Sequence, residues 1–557
     1  MANKKKRRRK RSPIPVIICI LSVIVIALAA AAIYQANAES KEVMDARTYF
    51  GIVSEEEAAV IMDDKIREEL VPVRNQRIYL PFSLVEQSLN KNFFWQKESS
   101  QMLLTMPDGT HTWTPGDSSG DLLLEGDTLY LAADCVKEYS DIDLVCLQDP
   151  YRVMIRTRWE NVAAEKVLEN TEIRFKAGPK NDILTTVAAG DVVVLTENGD
   201  DWCQVASSDG FVGYIRKKEI EAAPEGTITH TSDAKFTFPK KLVDFKVNMG
   251  WMYVNSMENN EEFLSLTANA SGMNVVSPTW FTFEDVQGTL VSYADANLVE
   301  QAHTKGMQVW GCIQDDMSGS VSTSSVLAVY EARTKVIEQL LAAAAEVGMD
   351  GINVDFESIT EESVGAYLQF LRELSIAAHA KGLVVSADNY VPLYTQYLNR
   401  SKQAEAIDYI VIMGYDEHYA GSAEAGSVAS LSFVKQGIED TLEQVPAEQV
   451  INGIPFFCRG WTTAYGEETP TSEAFGMEGA AAWANEKGIK LTWDSVLGQY
   501  TGQSDDGAST YSMWLEDEKS LEEKMKLIKQ YKLAGVASWR LGLEKDDVWE
   551  IISRYVQ

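Results

Sequence analysis

The sequence predicts an α/β chain: a (β/α)8 barrel over residues 238–557, preceded by a small β-barrel, a small α+β repeat domain and an N-terminal transmembrane helix. Three observations carry this. Eight apolar runs, "FKVNMGW", "MNVVSPTWF", "MQVWGCI", "GINVDFE", "LVVSADNY", "YIVIMGY", "INGIPFF" and "GVASWRL", have amphipathic stretches such as "EESVGAYLQFLRELSIAAHAKG" between several of them. That alternation is the pattern of a parallel TIM barrel, whose strand C-termini face the active site. Upstream, residues 165–222 are short β-rich runs broken by Gly, Pro and Asp turns, as in a small barrel. Near the start, residues 14–33 carry no charge, enough for a helix to cross a bilayer.

Charge explains the ends of the chain. Residues 4–11, "KKKRRRKR", form a basic head within 1–13, and the first acid is Glu39. Beyond residue 38 there are 42 Lys and Arg against 82 Asp and Glu, a net of −40. So acidic a body repels nucleic acid, which excludes it as a partner. A basic cluster before an apolar span keeps the N-terminus cytoplasmic and puts the remainder outside. A single-pass cell-membrane protein with an extracellular body is therefore expected, anchored through 14–33. A signal peptide cleaved near Ala36-Asn37-Ala38 is the competing reading, giving a secreted form; the length of the apolar run favours the anchor.

The first exported piece, 48–160, contains an internal repeat. "RIYLPFSLVEQSLNKNFFWQKESSQMLLTM" at 77–106 aligns with "TLYLAADCVKEYSDIDLVCLQDPYRVMIRT" at 128–157, matching Tyr79 with Tyr130, Leu80 with Leu131 and Val85 with Val136. Each half reads as strand, helix, strand, strand. The pattern resembles the small domain at the N-terminus of bacterial copper amine oxidases, found in many cell-wall proteins. Nothing in it looks like a copper ligand set. The cysteines lack CxxC spacing and the five His are scattered, so neither metal nor cofactor is expected. A Cys135–Cys146 bridge and separate buried thiols both remain open.

The second piece, 165–222, resembles a bacterial SH3 domain through its "AGP" start, "GDVVV", "DWCQV" and "GFVGYI". Such domains commonly bind cell-wall peptide or glycan. Trp202, Phe211 and Tyr214 either form that surface or fill a small core. Residues 223–237 read as a linker.

In the third piece the informative stretch is "MDGINVDFESI", 349–359. As a strand it puts Asn353, Asp355 and Glu357 on one face and Ile352, Val354 and Phe356 on the other. Neighbouring carboxylates raise one another's pKa, leaving a proton to give near neutrality. Cleavage of a glycosidic bond needs such a proton. A polar cluster filling the barrel, or a metal site, would satisfy the same pattern.

"DGINVDFE" resembles the D-G-x-D-x-D-x-E signature of glycoside hydrolase family 18, the chitinase-like hydrolases, with Asp350, Asp355 and Glu357 matching. Asn353 stands where most chitinases carry Asp, which bears on rate and pH optimum. "VIMGYDEH" supplies Met413, Tyr415 and Asp416, and "ASWRLG" supplies Trp539. The stretches "GYDEHYAGSAEAGSV" and "WLEDEKSLEEKMKLIKQYKLAGVASWRLG" look like the branch of spore-cortex-fragment and wall-associated glycosidases.

The resemblance implies a retaining, substrate-assisted mechanism without an enzyme nucleophile. Glu357 is then the acid, Asp355 stabilises the oxazolinium-like species and Tyr415 bonds the acetamido oxygen. Asp416 holds the sugar and Trp539 lies under its ring. Asp350 supports the acids from below, Asn353 bonds Asp355, and Met413 lines the site. Trp280, placed near a predicted strand end by the sequence alone, either lines a sugar subsite or packs under a loop. The expected substrate is N-acetylglucosamine-containing peptidoglycan. A chitinase, an endo-β-N-acetylglucosaminidase and a wall-tethering lectin without turnover are the alternatives.

Overall fold

The computed structural model describes residues 14–232 and 237–556. The basic head and residues 233–236 of the expected linker lie outside these. A helix, Ile14–Asn37, forms where the anchor was expected. The transmembrane element is nevertheless corrected: among the described residues no helix is long and apolar enough to cross a membrane.

The chain forms two compact units, one holding residues up to Lys91 and the stretch from Gly116 to the linker, the other holding Asn92–Pro115 and the C-terminal barrel. The expected module at 48–160 is thus divided between them. In the first unit an eight-stranded sheet runs, in spatial order, Asp143–Leu147, Arg152–Arg156, Glu57–Met62, Val71–Arg74, Arg77–Pro81, Thr128–Ala132 and Leu122–Glu125, with Lys65–Ile66 pairing Glu57–Met62. A seven-stranded antiparallel sheet spans Ala164–Val167 to Ile220–Ala222. Its core is Val167, Ile173, Val193, Cys203, Val205 and Ile215, packed with Phe211, Phe50 and Ile52. Phe211 is therefore a core residue rather than a ligand surface. Trp202 stays half-buried, with the Arg216 guanidinium 5.3 Å from its ring.

In the second unit the eight expected runs form eight parallel strands: β1 Val247–Met252, β2 Val275–Pro278, β3 Gln308–Gln314, β4 Gly351–Asp355, β5 Val384–Tyr390, β6 Tyr409–Met413, β7 Val450–Pro455 and β8 Gly535–Trp539. β1 pairs with β8 as well as β2, and β2 pairs with β3, so the sheet closes into a barrel. Both faces are covered, hence the near-continuous burial of these strands. The helices between them end where chemistry requires. Gly348 (φ +83°) closes Tyr330–Val347 in a left-handed turn that favours glycine, and Asp517 with Ser520 makes a reciprocal cap for Glu518–Gln530. Between β7 and β8 sits a five-stranded antiparallel sheet over Phe457–Leu515, with helix Met477–Glu486 over a small core of Cys458, Ala480, Ala484 and Met513.

A three-stranded meander, Phe93–Gln96, Gln101–Met106 and Gly109–Trp113, completes this unit. It packs on helix Val364–His379. The Gln369 amide donates to Thr105 Oγ1 at 2.7 Å, and Arg333 Nη1 donates to Gln96 Oε1 at 3.0 Å. All six cysteines are free, so the Cys135–Cys146 bridge is not formed.

Candidate active site

The β4 strand delivers the acids. Ile352 and Val354 are fully buried β-branched residues that fix the strand's register; on the other face Asn353 and Asp355 point inward. Glu357 follows just past the strand end, held by Asp315 beyond β3. Asp315 Oδ2 accepts from the backbone N–H of Glu357 (2.7 Å) and of Ser358 (2.9 Å), while its Oδ1 accepts from Ser358 Oγ (2.8 Å). The acid-bearing turn is thereby fixed to the neighbouring strand end.

Glu357 is solvent-accessible at the mouth yet crowded by protein. Desolvation pushes its carboxyl up, opposed by the Tyr390 hydroxyl, which donates to Oε2, and assisted by the charge of Asp315. Asp355 is held well above the carboxylate range, first by burial and then by Asp388, Glu357 and Asp315. Tyr415 lies buried past the end of β6, its ring edge-on to Phe457 at 6.2 Å. Gly414 makes room for that turn, because a Cβ there would lie 2.7 Å from the Gly453 carbonyl oxygen. Asp416 has φ +58°, and burial raises its carboxyl to about 6 against the pull of Arg459. Met413 is buried at the end of β6. Trp539 closes β8, half-buried, with its ring edge-on to Trp251 at 6.0 Å.

Three expectations are corrected. Asp350 sits before β4, at the far end of the strand. Its Oδ2 accepts from the Val309 N–H and lies near His303 Nε2, both at 2.8 Å. Five residues of strand separate it from Asp355 by ~16 Å, so it does not touch the acids. Trp280 is fully buried and donates its indole N–H to Asn260 Oδ1 at 2.8 Å, so it presents no face to a sugar. Asn353 does not bond Asp355. Its Oδ1 accepts from Trp251 Nε1 (3.1 Å) and Ser277 Oγ (3.2 Å), and its amide donates to Ser386 Oγ (3.0 Å) and Asp388 Oδ1 (2.8 Å). Because the Trp251 N–H can only donate, the amide orientation is settled, and Asn353 ties β1, β2, β4 and β5 in one layer.

Asp388, Tyr390 and Asp315 were missed by sequence reasoning. The first two carried a usable signal: in "LVVSADNY" Ser386, Asp388 and Tyr390 share one face by the same alternation that singled out β4.

An acid with a raised carboxyl at the mouth of a barrel, beside a second carboxyl kept from ionising, is equipped to protonate a leaving oxygen. Residues 251–544 match glycosyl hydrolases family 18, and residues 169–221 match the bacterial SH3 domain. The chain is 28% identical over 309 residues to the uncharacterized glycosylase YvbX of Bacillus subtilis (strain 168), covering 52% of this chain and 87% of that protein. It is 24% identical over 286 residues to the cortical fragment-lytic enzyme of Bacillus anthracis, covering 49% of this chain and 66% of that one. Among solved structures, the spore cortex-lytic enzyme SleL of Bacillus cereus superposes with a TM-score of 0.51 at 21% identity, covering 57% of this chain and 76% of that one. The likeness to SleL shows the shared barrel fold. With its acids at the strand ends and more than half its length matched, the chain belongs to glycosyl hydrolase family 18 and is a glycosidase.

Proposed function

We propose that this protein is an exported retaining glycosidase that cleaves β-linked N-acetylglucosamine in bacterial peptidoglycan with help from the substrate's own acetamido group. The observation that carries the reading is Glu357. It is reachable from solvent, pushed toward its protonated form, and anchored by Tyr390 and Asp315. No enzyme carboxylate is needed as nucleophile in this family, because the acetamido carbonyl attacks the anomeric carbon. Glu357 gives its proton to the departing oxygen, and the cyclic oxazolinium-like species forms on the side of Asp355. Tyr415 offers its hydroxyl to the acetamido oxygen, Asp416 bonds the sugar, and Trp539 lies under the ring. Water then opens the intermediate, with Glu357 taking back a proton.

Two features favour peptidoglycan over other acetamido glycans. The SH3 domain suits wall contact, and the cortical fragment-lytic enzyme is a relative by name. The 48–160 segment is read as a spacer or wall-contacting module related to the copper amine oxidase N-terminal domain. Wall localisation of the exported body follows from the same reading. The test sets purified protein on peptidoglycan and on chitin oligosaccharides, with products read by mass spectrometry. Peptidoglycan fragments ending in reducing N-acetylglucosamine are expected. Cleavage of chitin alone would make it a chitinase, and binding without product from either would make it a lectin.

Tyr390→Phe tests the acid directly. The Tyr390 hydroxyl favours the charged form of Glu357, so its loss leaves the carboxyl higher still. The alkaline limb of the kcat profile, where the acid loses its proton, is expected to move to higher pH. A drop in kcat of less than about tenfold should accompany it. An alkaline limb that stays in place would remove Glu357 from the role of acid.

A further inference from the structure

We infer that Asp388 is a positioning residue for the proposed hydrolysis, sharing a single proton with Asp355 and accepting that proton fully when charge develops at the sugar. The inference rests on the reading of Asp355 given above, and on three features of the barrel interior.

The first is register. β4 and β5 pair Asn353 with Ser386 and Val354 with Ala387, so Asp355 stands beside Asp388 on the adjacent strand. The second is hydrogen bonding. Both side chains are buried, and Asp355 Oδ1 and Asp388 Oδ2 have no partner, although a buried carboxylate oxygen is costly to leave unmatched. One proton lying between two such oxygens satisfies both at once. The third is the position of Asn353. Its amide donates to the other oxygen of Asp388, Oδ1, and its own oxygen is fully used by Trp251 and Ser277. Asn353 therefore orients Asp388 but cannot hold the proton itself.

The surroundings favour one shared charge rather than two. Cys312 from β3 and Tyr367 from helix Val364–His379 face the pair, as do Tyr415 past β6 and Glu357 past β4. Asp315 acts on Asp355, and the Trp251 indole also supports Asp388. Arg400 acts on Tyr367. The charges acting on Asp355 are all carboxylates and burial opposes charge on both members, so the pair keeps its one proton until the pH approaches about 8. In the step itself one O–H bond to Asp355 breaks and one to Asp388 forms. The proton that leaves with the departing oxygen is a separate one, from Glu357, and no external reagent is consumed.

Two readouts on the full chain test this. The first is stability against pH, which needs no substrate. A carboxyl raised from 3.8 to about 8 by folding lends stability that is complete below the lower value and is lost as pH rises through the upper one. The native midpoint of thermal unfolding should therefore fall between pH 5 and 8.5 by more than that of Asp388→Asn. If Asp388→Asn folds poorly, Asp355→Asn serves, since removing either member removes the same proton. Equal pH dependence in native chain and variant would overturn the shared proton. The second readout is the pH profile of kcat. In Asp388→Asn the Asp355 proton has no acceptor, so Asp355 must ionise beforehand. The acid limb is expected to move up in pH, with a loss of roughly tenfold or more at the optimum. An unmoved acid limb under a uniformly lower rate would reduce Asp388 to a structural role. A native chain that shows the stability signature yet cleaves no acetamido glycan would leave the shared proton standing and sink the functional reading.

Discussion

Glu357→Gln lowers kcat on the natural glycan by about 10²–10⁴-fold while leaving glycan binding nearly intact, because a general acid is worth that much in the transition state and little in the ground state. The amide keeps the size of the side chain and can still meet the Tyr390 hydroxyl, so the turn fixed by Asp315 stays in place. What disappears is the transferable proton. The deficit should therefore depend on the leaving group. With an aryl glycoside whose phenolate departs unaided, formation of the cyclic intermediate no longer needs the acid, and most of the loss in that step should vanish. Single-turnover kinetics on both substrates would show this. A loss of the same size on each would mean that Glu357 shapes the site and does not give a proton.

The second large effect concerns stability. Arg333 is fully buried on helix Tyr330–Val347 and forms a two-pronged pair with Glu373, Nε to Oε2 at 2.8 Å and Nη2 to Oε1 at 3.0 Å. Its third nitrogen donates to the Leu327 carbonyl (2.7 Å) and to Gln96 of the meander (3.0 Å), and its guanidinium lies 5.6 Å from the Phe94 ring centre. Arg333→Met should cost ~3–5 kcal/mol, since it leaves the Glu373 carboxylate buried without its countercharge. The double variant Arg333→Met/Glu373→Leu should recover most of that, because a matched apolar pair avoids the desolvation of both ions. Urea midpoints would decide. A single variant as stable as the native chain would show that the pair contributes nothing net. The pair joins helices Tyr330–Val347 and Val364–His379 and shares no hydrogen bond with Glu357 or with the Asp315 that holds it, so kcat of the folded variants should not change.

Much of this architecture is legible in the sequence, for a physical reason. Each barrel strand is buried on both faces and so reads as an apolar run, and polar residues inside such a run, as in "GINVDFE", stand out. The polar positions of β5 obey the same alternation, yet Asp388 acquires its meaning only from Asp355 beside it. Pairing across strands is a property of the closed sheet and leaves no mark on either segment. Trp280 shows a different limit. A tryptophan near a strand end has a large apolar ring and an N–H to satisfy, and it can settle beneath a loop as readily as over a cleft. Here Asn260 supplies the acceptor and the ring goes inward. The internal repeat shows a third. Similar residues build the same strand–helix–strand–strand order in both halves, Arg77–Met106 and Thr128–Arg156. Local sequence does not select which neighbour covers the apolar face, so the two C-terminal hairpins end up in different units.

The meander also determines what a protease could achieve. The chain leaves the first unit at Lys91, returns at Gly116 and enters the barrel again only after the linker. A cut in the linker severs the peptide but leaves Gln96, Thr105 and Phe94 seated on the barrel helices. The two halves should co-elute after nicking and part only under denaturing conditions. A fragment starting at residue 238 would expose the seat that Phe94 and Thr105 normally cover. Supplying residues 92–115 as a separate peptide should then restore solubility, a fragment complementation read directly by light scattering.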